Sequence, residues 1–342
     1  MRILVTGAAG FIGYHLTLSL LEKEYQVLGI DNLNDYYDPN LKEQRLKEIS
    51  NHKKSKNFNF FKEDISNRNF VSNLFLNNSF DAVINLASQA GVRHSLSNPH
   101  AYVDSNLVGF VNILEGCRNA GLKHFIFASS SSVYGMNKKK PFSTRDRTDY
   151  PISLYAATKK SNELIAFNYS HLYDIPTTGL RFFTVYGPFG RPDMAYYKFT
   201  KAILNGKSID VYNNGEMKRD FTYIDDIVDG ILKVLNKPPI KNDNKYSFAY
   251  AKYQIFNIGN NNPVSLRDFI NAIEISCKKK AIENNLPLQP GDVIETFADI
   301  DNFVKNFDFQ PKVSINEGIE KFVLWYIKNH FNKDEIWETH GI

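Results

Sequence analysis

The first thirteen residues narrow the fold more than any other part of the chain. Ile3-Leu4-Val5 is a short apolar run, Gly7-Ala8-Ala9-Gly10-Phe11-Ile12-Gly13 follows it directly, and Leu16, Leu18, Leu20 and Leu21 then recur at helical spacing. Strand, tight turn and helix in that order is the context in which such glycines carry meaning. Gly7 permits the turn, Gly10 lets the backbone approach a pyrophosphate, and Gly13 lets the helix pack closely on the strand. The N–H groups of the first helical turn, at Phe11 and Ile12, then face the anion. The spacing is GxxGxxG rather than GxGxxG.

The rest of the first half continues the alternation. Gln26 to Ile30 reads as a second strand ending at Asp31, and a polar, Tyr-rich stretch follows from Asn32 to Asn40. Further strands are expected at Asn59-Phe60-Phe61, Ala82 to Asn85, Phe125 to Ala128 and Thr178 to Phe182. Helical patterns lie around Phe70 to Phe75, Ala101 to Ala120 and Tyr155 to Tyr173. Such alternation implies right-handed βαβ units, so the expected fold is a Rossmann-type doubly wound parallel sheet. Beyond residue 182, Gly187-Pro188, Gly190-Arg191-Pro192, Asn213-Asn214-Gly215 and Pro238-Pro239 break the chain into shorter pieces. A smaller, irregular α/β domain is expected there. With 342 residues the chain has room for roughly two domains. We place a cofactor domain at residues 1–178 and a substrate domain at 179–342, with the chain crossing back in part.

Composition excludes several classes. Forty-one Lys+Arg against thirty-seven Asp+Glu leave +4, mostly scattered, so neither nucleic acid nor a membrane surface is an expected partner. Two cysteines, Cys117 and Cys277, are too few for a disulfide framework or a zinc cluster, which fits a reducing, cytoplasmic compartment and no metal. No run of eighteen apolar residues occurs, and no leader is expected before Ile3. Nineteen Tyr and twenty-six Phe make aromatics 14% of the chain, and most are expected to fill core and interfaces.

Asp31 ends the second strand, where a carboxylate can accept both hydrogen bonds of an adenosine ribose diol. A 2′-phosphate would meet a like charge, which favours NAD over NADP. Asp64-Ile65 would meet the adenine ring, or Asp64 could cap a helix. A Tyr-x-x-x-Lys pair on a helix sets a phenol and an ammonium on one face, where the charge can make the phenol a usable base. Roughly two matches are expected by chance; three occur, Tyr134/Lys138, Tyr155/Lys159 and Tyr197/Lys201. Gly135 interrupts the first, and the third lies in the irregular half. Tyr155/Lys159 opens the long helix after the fifth strand. Ser129-Ser130-Ser131-Ser132 ends that strand at the carboxyl edge, where a hydroxyl can bind the same substrate oxygen; spacing alone does not say which serine does so.

With these residues in order, the chain resembles the extended short-chain dehydrogenase/reductase family and its nucleotide-sugar epimerases, most of all UDP-glucuronate 4-epimerases. The runs Asp31 to Tyr37, Ser88 to Arg93, Tyr155 to Glu163, Arg181 to Pro188, Gly190 to Ala195 and Arg219 to Asp226 carry the likeness. The resemblance implies that Ser130 polarises the sugar oxygen, Tyr155 is the base and Lys159 its partner. It implies cofactor contacts at Asn32, Leu86-Ala87-Ser88-Gln89 and Asn106, beside the glycines, Asp31, Asp64 and Ile65. On the substrate side it implies Arg93, Arg219 at the UDP diphosphate, and Asp292 at the uridine ribose. Val211 and Tyr212 would form part of the uracil wall or belong to the core. Thr184 and Arg191, helped by Ser131 and Ser132, would clamp a uronate carboxylate, although Arg191 could instead pair with Asp193.

The implied reaction is reversible 4-epimerisation of UDP-glucuronate to UDP-galacturonate through a 4-keto sugar, with NAD kept bound. Alternatives are a 4-epimerase of UDP-glucose or UDP-N-acetylhexosamine, a decarboxylating UDP-xylose-forming enzyme, or a non-catalytic NAD-binding regulator. A 4,6-dehydratase would need an Asp-Glu pair where Ser131-Ser132 stand. The helical patterns Tyr102 to Leu114 and Leu154 to Leu172 imply, by the same resemblance, a homodimer.

Overall fold

Runs such as Ile3-Leu4-Val5 and Phe125-Ile126-Phe127 are apolar on both faces, so as strands they need cover on both sides, and they receive it: all six residues are 0% exposed. The computed structural model describes residues 1–241, 250–288 and 294–330. The first half runs β1 (Arg2–Thr6), α1 (Phe11–Glu22), β2 (Gln26–Asp31), α2 (Pro39–Ser50), β3 (Phe58–Lys62), α3 (Arg68–Asn77) and β4 (Ala82–Asn85). Short helices α4 (His94–Ser97) and α5 (Pro99–Val103) lead through a π-helical turn at Asp104–Gly109 into α6 (Phe110–Asn119). Then come β5 (His124–Ser130), α7 (Leu154–Tyr173) and β6 (Thr177–Phe182).

The second half runs β7 (Thr184–Tyr186), α8 (Ala195–Leu204), β8 (Ser208–Tyr212), β9 (Lys218–Tyr223), α9 (Ile224–Leu235) and β10 (Tyr253–Ile258). It ends with β11 (Pro263–Ser265), α10 (Leu266–Cys277), β12 (Ile282–Leu286), α11 (Asp301–Phe307) and α12 (Ile315–His330). Seven strands form one parallel sheet in the order β10-β6-β5-β4-β1-β2-β3, the Rossmann-type doubly wound arrangement. Residue 178 lies inside β6, and β10, which the sequence reading did not foresee, adds a strand beside it in register Ile255↔Gly179. The second half is thus stitched into the sheet, and α9 packs on α1.

Two small sheets make the cap over the carboxyl edge: β11-β9-β7 and β12-β8. Aromatic rings fill it. Phe221 and Phe269 stack with ring centres 4.4 Å apart, and Tyr196 and Tyr197 of α8 pack edge-on against Phe322 and Trp325 of α12. Part of the Tyr-rich stretch after β2 is helical: Pro39 stands at the first turn of α2, and Asp38 accepts a hydrogen bond from the Asn40 N–H. Among the described residues no helix is long and apolar enough to cross a membrane.

Candidate active site

The carboxyl ends of β1, β2, β4, β5 and β6 open into a cleft of about 940 Å³ between the sheet and the cap. Its floor begins at the glycine turn. Gly7 has φ +71°, and a Cβ there would lie 2.8 Å from the Ala87 nitrogen, so β4 could not approach another residue as closely. A Cβ on Gly13 would run into the Gly7 carbonyl. Helix α1 has no side-chain cap, whereas Asp38, Asn67, Ser153 and Ser265 cap α2, α3, α7 and α10. Gly7, Gly10, Phe11, Ile12 and Gly13 all line the cleft, so the uncapped N–H groups of that turn face it. A dinucleotide pyrophosphate fits this donor set.

Asp31 and Asn32 line the same end. The Asp31 carboxylate accepts from the Ala9 N–H at 3.1 Å and the Leu33 N–H at 2.9 Å, leaving lone pairs for a diol. Sequence reasoning missed the two cations behind it on α2. Lys42 is buried, 3.8 Å from Asp31, and donates to Asn34 Oδ1 at 2.8 Å; burial lowers its pKa while Asp31 pulls the other way. Arg45, fully buried, donates to the Ala9 carbonyl at 2.8 Å and the Phe189 carbonyl at 2.6 Å, tying the glycine turn to the cap. The Asp38-Pro39 helix start was the signal available for them. Asp64 and Ile65 line the cleft beside Asn32, whose amide donates to Asp64 at 2.7 Å. Burial pushes the Asp64 carboxyl up, but the Ser66 N–H and this amide outweigh it and the net shift is downward. Capping of α3 falls to Asn67 instead.

Leu86, Ala87, Ser88 and Gln89 line the wall above β4. Asn106, expected beside them, lies behind: it is 2% exposed and does not reach the wall. Its Oδ1 accepts from the Gln89 N–H at 2.8 Å and Ser88 Oγ at 3.1 Å, and its Nδ2 donates to Thr158 Oγ1 at 3.0 Å. The π-helical turn brings Asn106 to this point, where it braces the loop against α7.

Ser130 closes β5 and Tyr155 stands in the first turn of α7, and both line the cleft. Ser130 Oγ also accepts from the Ser132 N–H at 3.1 Å, and Ser129 gives its hydroxyl to Glu163 at 2.6 Å. Lys159 follows one helical turn after Tyr155, with Nζ 5.9 Å from the phenol ring centre and donating to the Ala128 carbonyl at 2.9 Å. Burial lowers the Lys159 pKa to about 7. Burial also raises Tyr155, against the Ser130 hydroxyl and the positive charge of Arg191. Lys159 Nζ is thus held between the Tyr155 ring and the end of β5, and Arg191 adds a second positive charge that opposes burial at the phenol. Of the rival tyrosines, Tyr134 is buried and bonded to Asn257 at 2.5 Å. Tyr197 does stand in helical register with Lys201 on α8, but it is buried, with its hydroxyl 3.2 Å from His330 Nε2.

Arg93, Ser131 and Ser132 from the sheet loops and Thr184, Arg191, Tyr212 and Arg219 from the second half all line the cleft. The Arg93 guanidinium lies 5.0 Å from the Tyr212 ring centre. Arg219 donates to the Ile294 carbonyl at 3.0 Å, and its neighbour Asp220, fully buried, accepts from the N–H groups of Asn260, Asn261 and Ala298. Arg191 pairs with Asp193 and also lines the cleft. Val211 does not line it. On β8, Ile209 and Val211 are buried while Ser208 and Asp210 are exposed, which places Val211 in the core at 0% exposure. Asp292 lies outside the described residues. Among those described, no group of His, Cys, Asp and Glu could hold a metal ion.

Comparison with known proteins points the same way. The GDP-mannose 4,6 dehydratase family model matches residues 4–322. Protein CapI of Staphylococcus aureus is 54% identical over 334 residues, 96% of this chain and 99% of its own. A probable UDP-glucuronate 4-epimerase of Rhizobium meliloti is 45% identical over 338 residues, 96% of this chain and 98% of its own. Among solved structures, the UDP-glucuronic acid 4-epimerase from Bacillus cereus, in complex with UDP-glucuronic acid and NAD, superposes with a TM-score of 0.85 at 35% identity, over 96% of this chain and 99% of that one.

Proposed function

The chain belongs to the GDP-mannose 4,6 dehydratase family, within the nucleotide-sugar branch of the extended short-chain dehydrogenase/reductases, and we propose from that premise that it is an NAD-dependent UDP-glucuronate 4-epimerase. It interconverts UDP-glucuronate and UDP-galacturonate. One observation carries the choice of sugar: Arg191 lines the same cleft as Ser130 and Tyr155. When a sugar's C4 hydroxyl meets Tyr155, its C5 substituent is one ring carbon away, and a cation there suits a carboxylate better than a hydroxymethyl group.

NAD, when bound, would supply a reversible hydride acceptor. The glycine turn and the first turn of α1 would hold its pyrophosphate, and Asp31 its adenosine diol. Tyr155 takes the proton of the 4-hydroxyl as C4 is oxidised, with Ser130 donating to the same oxygen. Arg219 is a suitable fork for the diphosphate about which the 4-keto sugar turns, so that its other face is reduced. Tyr155 then returns the proton, and the stereochemistry at C4 is inverted. A ketone at C4 lies β to the C5 carboxylate, and such acids lose carbon dioxide readily. Arg191 and Thr184, with Ser131 and Ser132, would keep the carboxylate's C–C bond out of line with the ketone. The same two serines argue against a 4,6-dehydration, since neither can serve as the acid and base that elimination requires.

The division of labour between residues 1–178 and 179–342 belongs to this reading, as do a homodimer, a cytoplasmic location and a product destined for polysaccharide. Two buried free thiols, Cys117 and Cys277, fit a reducing compartment. The test is NMR of the sugar after incubating purified protein with UDP-glucuronate and no added NAD. UDP-galacturonate without net NADH is expected. Steady NADH release, a UDP-pentose, or epimerisation of UDP-glucose alone would overturn the reading.

A further inference from the structure

The Tyr-rich run after β2 has no part in the roles above, yet one of its tyrosines reaches across the cleft. Tyr36 Oη donates to Asp193 Oδ2 at 3.1 Å, joining the cofactor side to the cap loop that precedes α8. Asp193 takes Arg191 side-on, receiving Nε at 3.0 Å on Oδ1 and Nη2 at 2.5 Å on Oδ2. All three side chains line the same cleft as Tyr155. Tyr36 is itself fixed in place. Its ring packs on His94 with centres 4.8 Å apart, and Gly91, at φ +103°, leaves room for its hydroxyl where a Cβ would collide with it.

A guanidinium carries five N–H donors in one plane. The side-on pair uses two and Tyr36 at most one, so donors remain for a second carboxylate. Unpaired, the same side chain would sample many rotamers, and ordering it would count against binding. Resting on the uronate reading of this site, we propose that Asp193 and Tyr36 are positioning residues that hold Arg191 so that its remaining donors meet the C5 carboxylate of the sugar. Asp193 fixes the plane of the fork and Tyr36 fixes Asp193. The bridge spans the two sides of the cleft, so the carboxylate subsite is built by both.

The consequence is chemical as well as energetic. If the clamp is loose, the C5–C6 bond of the 4-keto uronate breaks. Its electron pair passes to the C4 carbonyl as an enolate, carbon dioxide leaves and C5 takes up a proton. Return of the hydride to C4 then yields a UDP-pentose. Loss of carbon dioxide per epimerisation is therefore a readout that a merely structural defect would not move.

Asp193→Asn and Tyr36→Phe, each as the NAD-loaded full chain, should be assayed on UDP-glucuronate by NMR and carbon dioxide release. For Asp193→Asn the KM should rise about tenfold and carbon dioxide loss per epimerisation at least tenfold; for Tyr36→Phe each should rise about threefold. Wild-type KM and wild-type carbon dioxide ratio in both variants would overturn the proposal. So would a fall in kcat alone. Should Asp193→Asn fail to fold, as judged by its melting curve and bound NAD, Tyr36→Phe decides, since it removes one hydroxyl. A wild-type protein that makes no UDP-galacturonate would overturn the functional reading first, and with it this inference.

Discussion

Lys159 is 3% exposed with a single carbonyl in reach, and burial holds its pKa near 7 against an ordinary 10.5. Between those values the unfolded chain binds a proton that the native state lacks, so this residue makes stability rise with pH across the window. Lys159→Met should melt above wild type at pH 7 in the cofactor-free protein, with the gap closing toward pH 10. Calorimetry at four or five pH values would show it, and a gap independent of pH would reject the assignment. The same variant should lose about a hundredfold or more in kcat, because the ammonium's place beside Tyr155 is left empty. The phenol needs such help: burial raises it, and the groups opposing burial are Ser130 and Arg191. A site that costs stability to hold a titratable amine in the dry is a common form of functional strain.

At the scale of elements, the π-helical turn between α5 and α6 matters most for the cleft, because it seats Asn106 between the β4 loop and α7. Asn106→Ala would leave the Gln89 N–H without its acceptor, at a cost of about 1–3 kcal/mol, and take one bond from the Thr158 hydroxyl, which keeps the Tyr155 carbonyl at 2.8 Å. We expect a lower melting temperature and a reduced fraction of protein carrying NAD after gel filtration; undiminished NAD content would contradict the bracing role. No sequence periodicity marks a π turn, so the bracing bonds of Asn106, a residue that resemblance alone sets at the cofactor, were not legible. β1, β2, β4 and β5 were legible because they are apolar runs that stop at glycines or polar turns. β10 was not, since Tyr253-Gln254-Ile255-Phe256-Asn257-Ile258 mixes polar residues into an edge strand. Helix α2 hid in a stretch of turn-forming residues despite its Asp38-Pro39 start. For Val211 the signal was present, as strict alternation along Ser208-Ile209-Asp210-Val211-Tyr212, and its period assigns Val211 inward with Ile209. The serine that faces Tyr155 was not readable from four in a row; the turn after β5 and the Ser129 bond to Glu163 decide it.

At the scale of the molecule, Val103 and Val108 beside α6 are exposed, as are Leu164, Leu172 and Tyr173 on α7. These are the helices expected to pair across a two-fold axis, and large apolar groups left in water there fit a second copy of the chain as their cover. Leu164→Glu should halve the mass seen by sedimentation at micromolar concentration, and a wild type already monomeric would remove the premise. The path of the chain has a consequence of another kind. It leaves the sheet after β6, returns with α9 and β10, leaves again through β11 and returns with α11, which packs on β10. No single cut releases the cap. Recombination between relatives of different specificity must therefore exchange several separated stretches together, so a new substrate preference is reached more easily through point changes in the loops than by trading a module.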